Sequence, residues 1–128
     1  MSEPKWLTSE MIVAIHEAQL IEHGGGSGLR DLGMLESALE RPRNKWTYEN
    51  VDLASLAAAY GYAMAKNHPF IDGNKRTALM AIFTFLGLND IDFDVLEAEF
   101  ATIILALAAG EVSEESLGRW IRDNLPAG

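Results

Sequence analysis

The sequence contains no cysteine, which excludes disulfide bonds, thiolate zinc sites and cysteine nucleophiles. Basic residues are also few: 10 lysines and arginines stand against 19 acidic residues, for a formal net charge of -9. A strongly acidic chain is repelled by nucleic acid and by anionic membranes, so neither is expected as a direct partner. The longest apolar runs, near 78–88 and 100–109, are too short to span a bilayer.

The first residues of the chain include no apolar signal region, so we expect a soluble, cytoplasmic protein. A length of 128 residues suits one hydrophobic core, and residues 1–128 are expected to form a single domain. Apolar residues recur at helical spacing in six segments, without a convincing pair of strands. The sequence therefore predicts an all-α fold, a compact bundle of about six helices around a buried central helix.

The central helix is predicted to follow the stretch 68–76, which reads HPFIDGNKR. Pro69 disfavours the α conformation at His68, and Gly73 permits a backbone turn that other residues resist. A helix is therefore expected to begin near Gly73 or Asn74. The segment that follows is apolar on almost every face, which is typical of a helix enclosed by others.

Two cations stand at the start of this helix, where acidic residues are usually favoured. Lys75 and Arg76 fall in the first turn, beside free N–H groups and the positive end of the helix dipole. A multiply charged anion would make this arrangement favourable, and phosphate is the natural candidate. Asp72 adds a carboxylate of the kind that Mg²⁺ combines with phosphate oxygens. The sequence therefore predicts a phosphate site with a Mg²⁺ ligand at Asp72.

The string from His68 to Arg76 resembles the signature of the Fic/Doc family, HxFx(D/E)(G/A)N, which continues with GR in Fic adenylyltransferases and KR in Doc toxins. Lys75 matches the Doc branch. The segments 24–42 and 87–94 are similar to the surroundings of the signature in that branch. The second arginine of the Fic pattern, three residues after the first, is Leu79 in this chain, and Doc proteins lack it too.

The resemblance implies a toxin of a toxin–antitoxin system that acts as a protein kinase on elongation factor Tu and so blocks translation. In that scheme His68 is the catalytic base for a serine or threonine hydroxyl, ATP supplies its γ-phosphate, and Asp72 holds Mg²⁺. Phe70 anchors the loop to the core. The implied phosphate-binding residues are Lys66, Gly73, Asn74, Lys75 and Arg76.

Several alternatives stay open. Lys66 also suits the negative end of the third helix without any ligand. The activity could instead be AMP transfer of the Fic type, or the protein could be a catalytically silent binding or corepressor module. Transfer of labelled phosphate from ATP to a target separates these functions.

Residues 41–51 are predicted to form an irregular, mostly polar connection after a short second helix that ends at Pro42. One interpretation is a surface loop whose aromatic residues fold onto the core. The other, which the resemblance supports, is a flap that aligns a segment of the target beside the catalytic histidine. The candidate flap residues are Arg43, Lys45, Trp46 and Tyr48.

Three further features receive local interpretations. His16 and His23 are interpreted as surface or rim histidines, because no second ligand lies at metal spacing. The glycine-rich stretch 24–28 is interpreted as a turn, since no GK[ST] sequence closes it as a phosphate loop. Asp94 and Glu97 predict a capping box for the fifth helix.

Regulation is expected to come from a partner. Self-inhibiting Fic proteins carry an (S/T)xxxE(G/N) helix, and no serine or threonine of this chain has a glutamate four residues later. The resemblance therefore implies a Phd-like antitoxin. Its disordered segment would fold into a helix against an apolar groove of the domain.

Overall fold

The structure, a computed structural model, describes residues 2–26 and 28–126. Within these ranges the only bridge between extended segments joins Leu29 and Phe70, and there is no β-strand. The all-α prediction is confirmed. The described residues form six helices: α1 Ser9–His23, α2 Leu32–Glu49, α3 Leu53–Asn67, α4 Asn74–Leu88, α5 Glu97–Ala108 and α6 Glu114–Asp123.

Four helix starts follow directly from the local sequence. The side chains of Thr8, Asp31, Asp52 and Ser113 each accept a hydrogen bond from the backbone N–H three residues later. The capping box predicted for α5 is wrong. This helix begins at Glu97 without a side-chain cap, so Glu97 is its first residue and not its third.

The second helix is longer than predicted, because it continues through Pro42 to Glu49. A proline inside a helix removes one backbone hydrogen bond and crowds the preceding turn. Here Pro42 is buried and extends the apolar stripe formed by Leu35, Ala38 and Leu39. Burial of that stripe outweighs the local preference, so the irregular connection predicted for 41–51 is wrong.

Two neighbouring helices form the centre of the bundle. The predicted central helix α4 buries eight of its fifteen residues, and α3 buries ten of fifteen. Helix α3 contacts α2, α4, α5 and α6. At Gly61 of α3 a Cβ atom would lie 2.6 Å from Ile82 Cδ1 of α4, so glycine sets how closely these helices approach. No helix in the described part of the chain is long and apolar enough to cross a membrane.

Candidate active site

The 68–73 loop, which joins α3 to α4, begins in an unusual backbone conformation. Helix α3 ends at Asn67, and His68 takes the left-handed conformation with φ 49° and ψ 57°. A residue with a side chain rarely adopts this conformation, which costs roughly 1 to 2 kcal/mol. Gly73, also at positive φ, precedes the first residue of α4, Asn74. The predicted start of α4 is therefore confirmed. Because the backbone at His68 is in an unfavourable conformation, contacts from other segments are needed to hold the loop.

The imidazole of His68 is exposed beside the start of α4. It lines a cavity of about 660 Å³ together with Lys75 and residues of α5 and its C-terminal end. Glu111 contributes a carboxylate to the same lining. The predicted base and one predicted phosphate ligand therefore open onto the same space.

The first turn of α4 is uncapped and positively charged. It has no side-chain cap and no acidic residue, and Lys75 and Arg76 are both exposed. The first N–H group bonded along the helix is that of Thr77, which donates to the carbonyl oxygen of Gly73 (2.9 Å). The two cations also line a second cavity of about 530 Å³ between α1, α4 and α5.

The side chain of Asn74 bonds to the loop, and its contact with phosphate stays a prediction. Its Oδ1 accepts a hydrogen bond from the N–H of Phe70 (3.0 Å), and its Nδ2 donates to the carbonyl oxygen of Phe70 (2.9 Å). Both polar ends of the buried amide therefore close the loop. The backbone N–H of Asn74 and the second hydrogen of its Nδ2 take no part in these two bonds.

Phe70 attaches the loop to the core. Its side chain is 2% exposed, and its ring lies parallel to the imidazole of His16 at 3.9 Å between centroids. The prediction that His16 is a surface histidine is wrong. His16 is buried and donates a hydrogen bond from Nε2 to the carbonyl oxygen of Asp72 (2.7 Å). Its position four residues after buried Ile12 was the available signal.

Asp72 points its carboxylate toward the glycine-rich stretch. Its Oδ1 accepts a hydrogen bond from the N–H of Gly73 (2.8 Å), and its Oδ2 lies 3.4 Å from the N–H of Gly26. A Cβ atom at Gly25 would lie 2.9 Å from Oδ2. The glycines therefore leave room for the carboxylate, a role that their interpretation as a simple turn missed.

A metal ion at Asp72 would need ligands from outside the protein. The described residues contain no group of three or more histidine or acidic side chains that could hold a metal ion. One exposed carboxylate does fit Mg²⁺ where phosphate oxygens and water complete the shell. The site therefore suits an ion that arrives with a phosphorylated ligand.

The segment before α2 is bonded to the 68–73 loop, a contact that the sequence did not indicate. Leu29 pairs with Phe70, and the N–H of Ile71 donates to the carbonyl oxygen of Gly28 (3.2 Å). Arg30 adds side-chain hydrogen bonds to the end of α3. These contacts hold the 68–73 loop to a segment about 40 residues earlier.

Lys66 does not join the other predicted phosphate ligands. Its Nζ lies 3.5 Å from the carbonyl oxygen of Ala108, at the C-terminal end of α5. It lines neither of the two cavities that contain Lys75. The structure places it as a cation at a helix end, and its contact with phosphate stays a prediction.

The four candidate flap residues lie in the last turns of α2. They are 11 to 16 residues beyond Leu32, or about 17 to 24 Å along a helix that rises 1.5 Å per residue. It is the start of α2 that contacts the end of α3, through the hydrogen bond from Asn67 Nδ2 to the carbonyl oxygen of Met34 (3.0 Å), and the role of the four residues in recognition stays a prediction. Their contacts are those of a helix surface. Arg43 lies over the Trp6 ring, and Trp46 packs edge-on against the same ring. Lys45 forms an ion pair with Glu114 at 3.1 Å, and Tyr48 is 83% exposed.

The helical fold and the loop at the start of α4 together define the class of protein. A profile of the Fic/DOC family matches residues 6–86, more than half of the chain. The chain therefore belongs to the Fic/Doc family. The match extends from the segment before α1 through most of α4 and includes the whole 68–73 loop.

Two relatives come from the Doc branch of this family. The chain is 35% identical to "Protein kinase doc" of Escherichia phage P1 over 118 residues, which cover 91% of this chain and 92% of that protein. It is 44% identical to "Toxin Doc" of Mycolicibacterium smegmatis over 87 residues, which cover 62% of this chain and 65% of that protein.

Proposed function

We propose that this protein is a Doc-type toxin that transfers the γ-phosphate of ATP to a serine or threonine hydroxyl of a target protein. The observation that carries the proposal is the cavity shared by His68 and Lys75 at the uncapped start of α4. The names of the two relatives, a protein kinase and a toxin, support it. Elongation factor Tu is the target that the resemblance implies.

In this mechanism His68 acts as a general base. Its imidazole accepts the proton of the target hydroxyl while the hydroxyl oxygen forms a bond to the γ-phosphorus. The bond from that phosphorus to the bridging oxygen breaks, and ADP leaves. The N–H groups at the start of α4, with Lys75 and Arg76, stabilise the phosphate charge.

Mg²⁺ fits this scheme at Asp72. When bound, the ion would neutralise part of the phosphate charge. The protein's own part is to hold the carboxylate against the glycine-rich stretch and next to the first turn of α4. We expect Asp72→Asn to raise the metal concentration needed for half-maximal rate, because one anionic ligand is lost. An unchanged metal midpoint would remove Asp72 from the metal site.

AMP transfer is the second candidate activity, and one residue argues against it. The second arginine of the Fic pattern is replaced by Leu79, which lines the wall of the 530 Å³ cavity next to Arg76. An aliphatic side chain adds no charge to bind a further phosphate. This favours the attack of the hydroxyl at the γ-phosphorus.

The deciding experiment uses ATP labelled at either the γ or the α phosphate. Purified protein is incubated with elongation factor Tu and, separately, with a bacterial lysate, and His68→Ala serves as the matched control. We expect label from the γ position in elongation factor Tu. Label from the α position alone would support AMP transfer, and no label in any protein would support a silent binding module.

The proposal includes a Phd-like antitoxin. The 530 Å³ cavity has an apolar wall formed by Leu79, Met80, Phe83 and Ile104, and a polar rim that includes Glu22. Such a groove suits the apolar face of a helix that folds on binding. We expect expression of the wild type alone to arrest growth and expression of His68→Ala to be tolerated. Equal growth of both strains with soluble wild-type protein would contradict a toxin that needs a partner.

A further inference from the structure

We propose that Arg30 is a positioning residue for His68, because its guanidinium group holds the end of α3 that carries the imidazole. The proposal rests on the function proposed above, in which His68 is the base. Arg30 lies between α1 and α2, 38 residues before His68, and has no place in the mechanism as described so far.

Two nitrogen atoms of Arg30 donate to consecutive carbonyl groups at the end of α3. Nε donates to the carbonyl oxygen of His68 (2.7 Å), and Nη2 donates to that of Asn67 (2.9 Å). Carbonyl groups at a helix C-terminus lack partners within the helix and carry its negative dipole end. A guanidinium group therefore satisfies their hydrogen bonding and their charge together, with a rigid fork that lysine lacks.

The backbone at Arg30 adds a second attachment. The N–H groups of Arg30 and Asp31 both donate to the carbonyl oxygen of Pro69, at 2.7 and 3.1 Å. Three consecutive carbonyl groups, from Asn67 to Pro69, are therefore held by one short segment. This segment fixes the direction in which the chain leaves α3.

The imidazole depends on this backbone for its direction. His68 is exposed, and its φ of 49° lies in a region that residues with side chains rarely adopt. Without the Arg30 side chain, two of the three carbonyl groups, those of Asn67 and His68, lose their bond to this segment, and the backbone at His68 is free to relax. A displacement of about 1 Å at a catalytic group costs on the order of 100-fold in rate.

The kinetic test compares Arg30→Ala and Arg30→Lys with the control Arg119→Ala. Arg119 is an exposed arginine whose side chain bonds to Ser116 in its own helix, so the control removes the same charge away from the site. We expect Arg30→Ala to lower kcat for phosphate transfer by about 10- to 100-fold, with KM for ATP changed by less than about threefold. Arg30→Lys recovers part of the rate, and Arg119→Ala retains the wild-type rate.

A double mutant separates positioning from a general loss of structure. If Arg30 acts through His68, then Arg30→Ala has no further effect on the residual rate of His68→Ala. Thermal unfolding of each variant checks that the compared samples are folded. If Arg30→Ala lowers the rate of phosphate transfer by the same factor in the wild-type and His68→Ala backgrounds, the proposal is overturned.

The final measurement does not depend on catalysis. The chain has 3 histidines, so the ring proton–carbon NMR signal of His68 is assigned by its absence in His68→Ala. We expect Arg30→Ala to shift or broaden this signal and to leave those of His16 and His23 in place. An unchanged His68 signal overturns the positioning role. A wild-type protein that transfers no phosphate overturns the proposed function instead, while the NMR comparison still decides the role of Arg30.

Discussion

The starts of α3 and α4 place opposite charges beside the free N–H groups and the positive dipole end of the helix. At the start of α3, Asp52 accepts a hydrogen bond from the N–H of Ser55 (3.0 Å), and Arg122 bonds its carboxylate at 2.7 and 2.9 Å. At the start of α4, Gly73 offers no side-chain cap, and the first turn carries two cations in place of an acid.

The difference fits a structural role for the start of α3 and the binding role proposed for the start of α4. A carboxylate cap stabilises a helix by about 0.5 to 2 kcal/mol, and α3 obtains this from its own sequence. The start of α4 lacks that contribution and adds repulsion between the helix dipole and Lys75 and Arg76. An anionic ligand is the group that would offset both. Substitutions at α3 are therefore expected to change stability, and those at α4 to change activity.

The largest expected effect is on the α4 side. We expect His68→Ala to lower phosphate transfer by about 10² to 10⁴, the usual range for a lost general base, with a thermal unfolding midpoint close to the wild type. His68→Asn is the matched variant, since asparagine tolerates the left-handed backbone but is not a base. The measurements are the labelling assay and circular dichroism on the same sample. Wild-type rates in both variants would exclude His68 as the base.

His16 affects both stability and the candidate site, because it is buried in the core and bonds to the 68–73 loop. We expect His16→Phe to lower the free energy of unfolding by about 1 to 3 kcal/mol, since the ring can still stack on Phe70 but the carbonyl group of Asp72 loses its donor. Urea unfolding measures the loss. His16→Ala, which also loses the stacking on Phe70, is expected to be less stable than His16→Phe. Equal stability of wild type and His16→Phe would contradict the role of the hydrogen bond.

The matching substitution at α3 should change stability alone. We expect Asp52→Ala to lower the free energy of unfolding by about 0.5 to 2 kcal/mol through loss of the cap. The rate of phosphate transfer per folded molecule is expected to stay at the wild-type value, because Asp52 lies at the start of a different helix. Urea unfolding and the labelling assay are compared. A rate loss as large as that of His68→Ala would break the contrast between the two helix starts.

ATP binding is expected to stabilise the protein through the start of α4. Substitution at the start of α3 is expected to leave this stabilisation unchanged. ATP at ten times its Kd raises the free energy of unfolding by about 1.4 kcal/mol. For a chain of this length the unfolding midpoint is then expected to rise by about 4 to 7 °C. The shift should persist in Asp52→Ala and disappear in the double variant Lys75→Ala/Arg76→Ala. An equal shift in that double variant would place the nucleotide elsewhere.

The smallest effect is the acid dependence of the α3 cap. The hydrogen bond from Arg122 lowers the pKa of Asp52 from 3.8 to about 2. The folded state therefore favours the ionised carboxylate, and its stabilisation is complete above the unfolded pKa and is lost as pH falls through about 2. The pair is half exposed and screened by salt, so the contribution is modest. The stability difference between wild type and Asp52→Asn should shrink from pH 5 to pH 2; a constant difference would contradict this.

Local sequence determined where most helices begin and where the candidate active loop lies. The caps at Thr8, Asp31, Asp52 and Ser113 and the start of α4 could be predicted because a cap bonds to an N–H group three residues away. The HPFIDGNKR string likewise places its polar groups next to one another along the chain. These features need no distant contact.

The tertiary structure decided which residues support that loop. Pro42 continues α2 because one face of the helix is buried against the core, an influence that outweighs proline's local preference. His16 reaches the loop from 56 residues away, and Arg30 reaches it from 38. Neither contact leaves a local pattern, since each partner is a backbone carbonyl group that any residue could provide. Sequence alone therefore predicted the candidate reacting groups, while packing of distant segments determined how they are held.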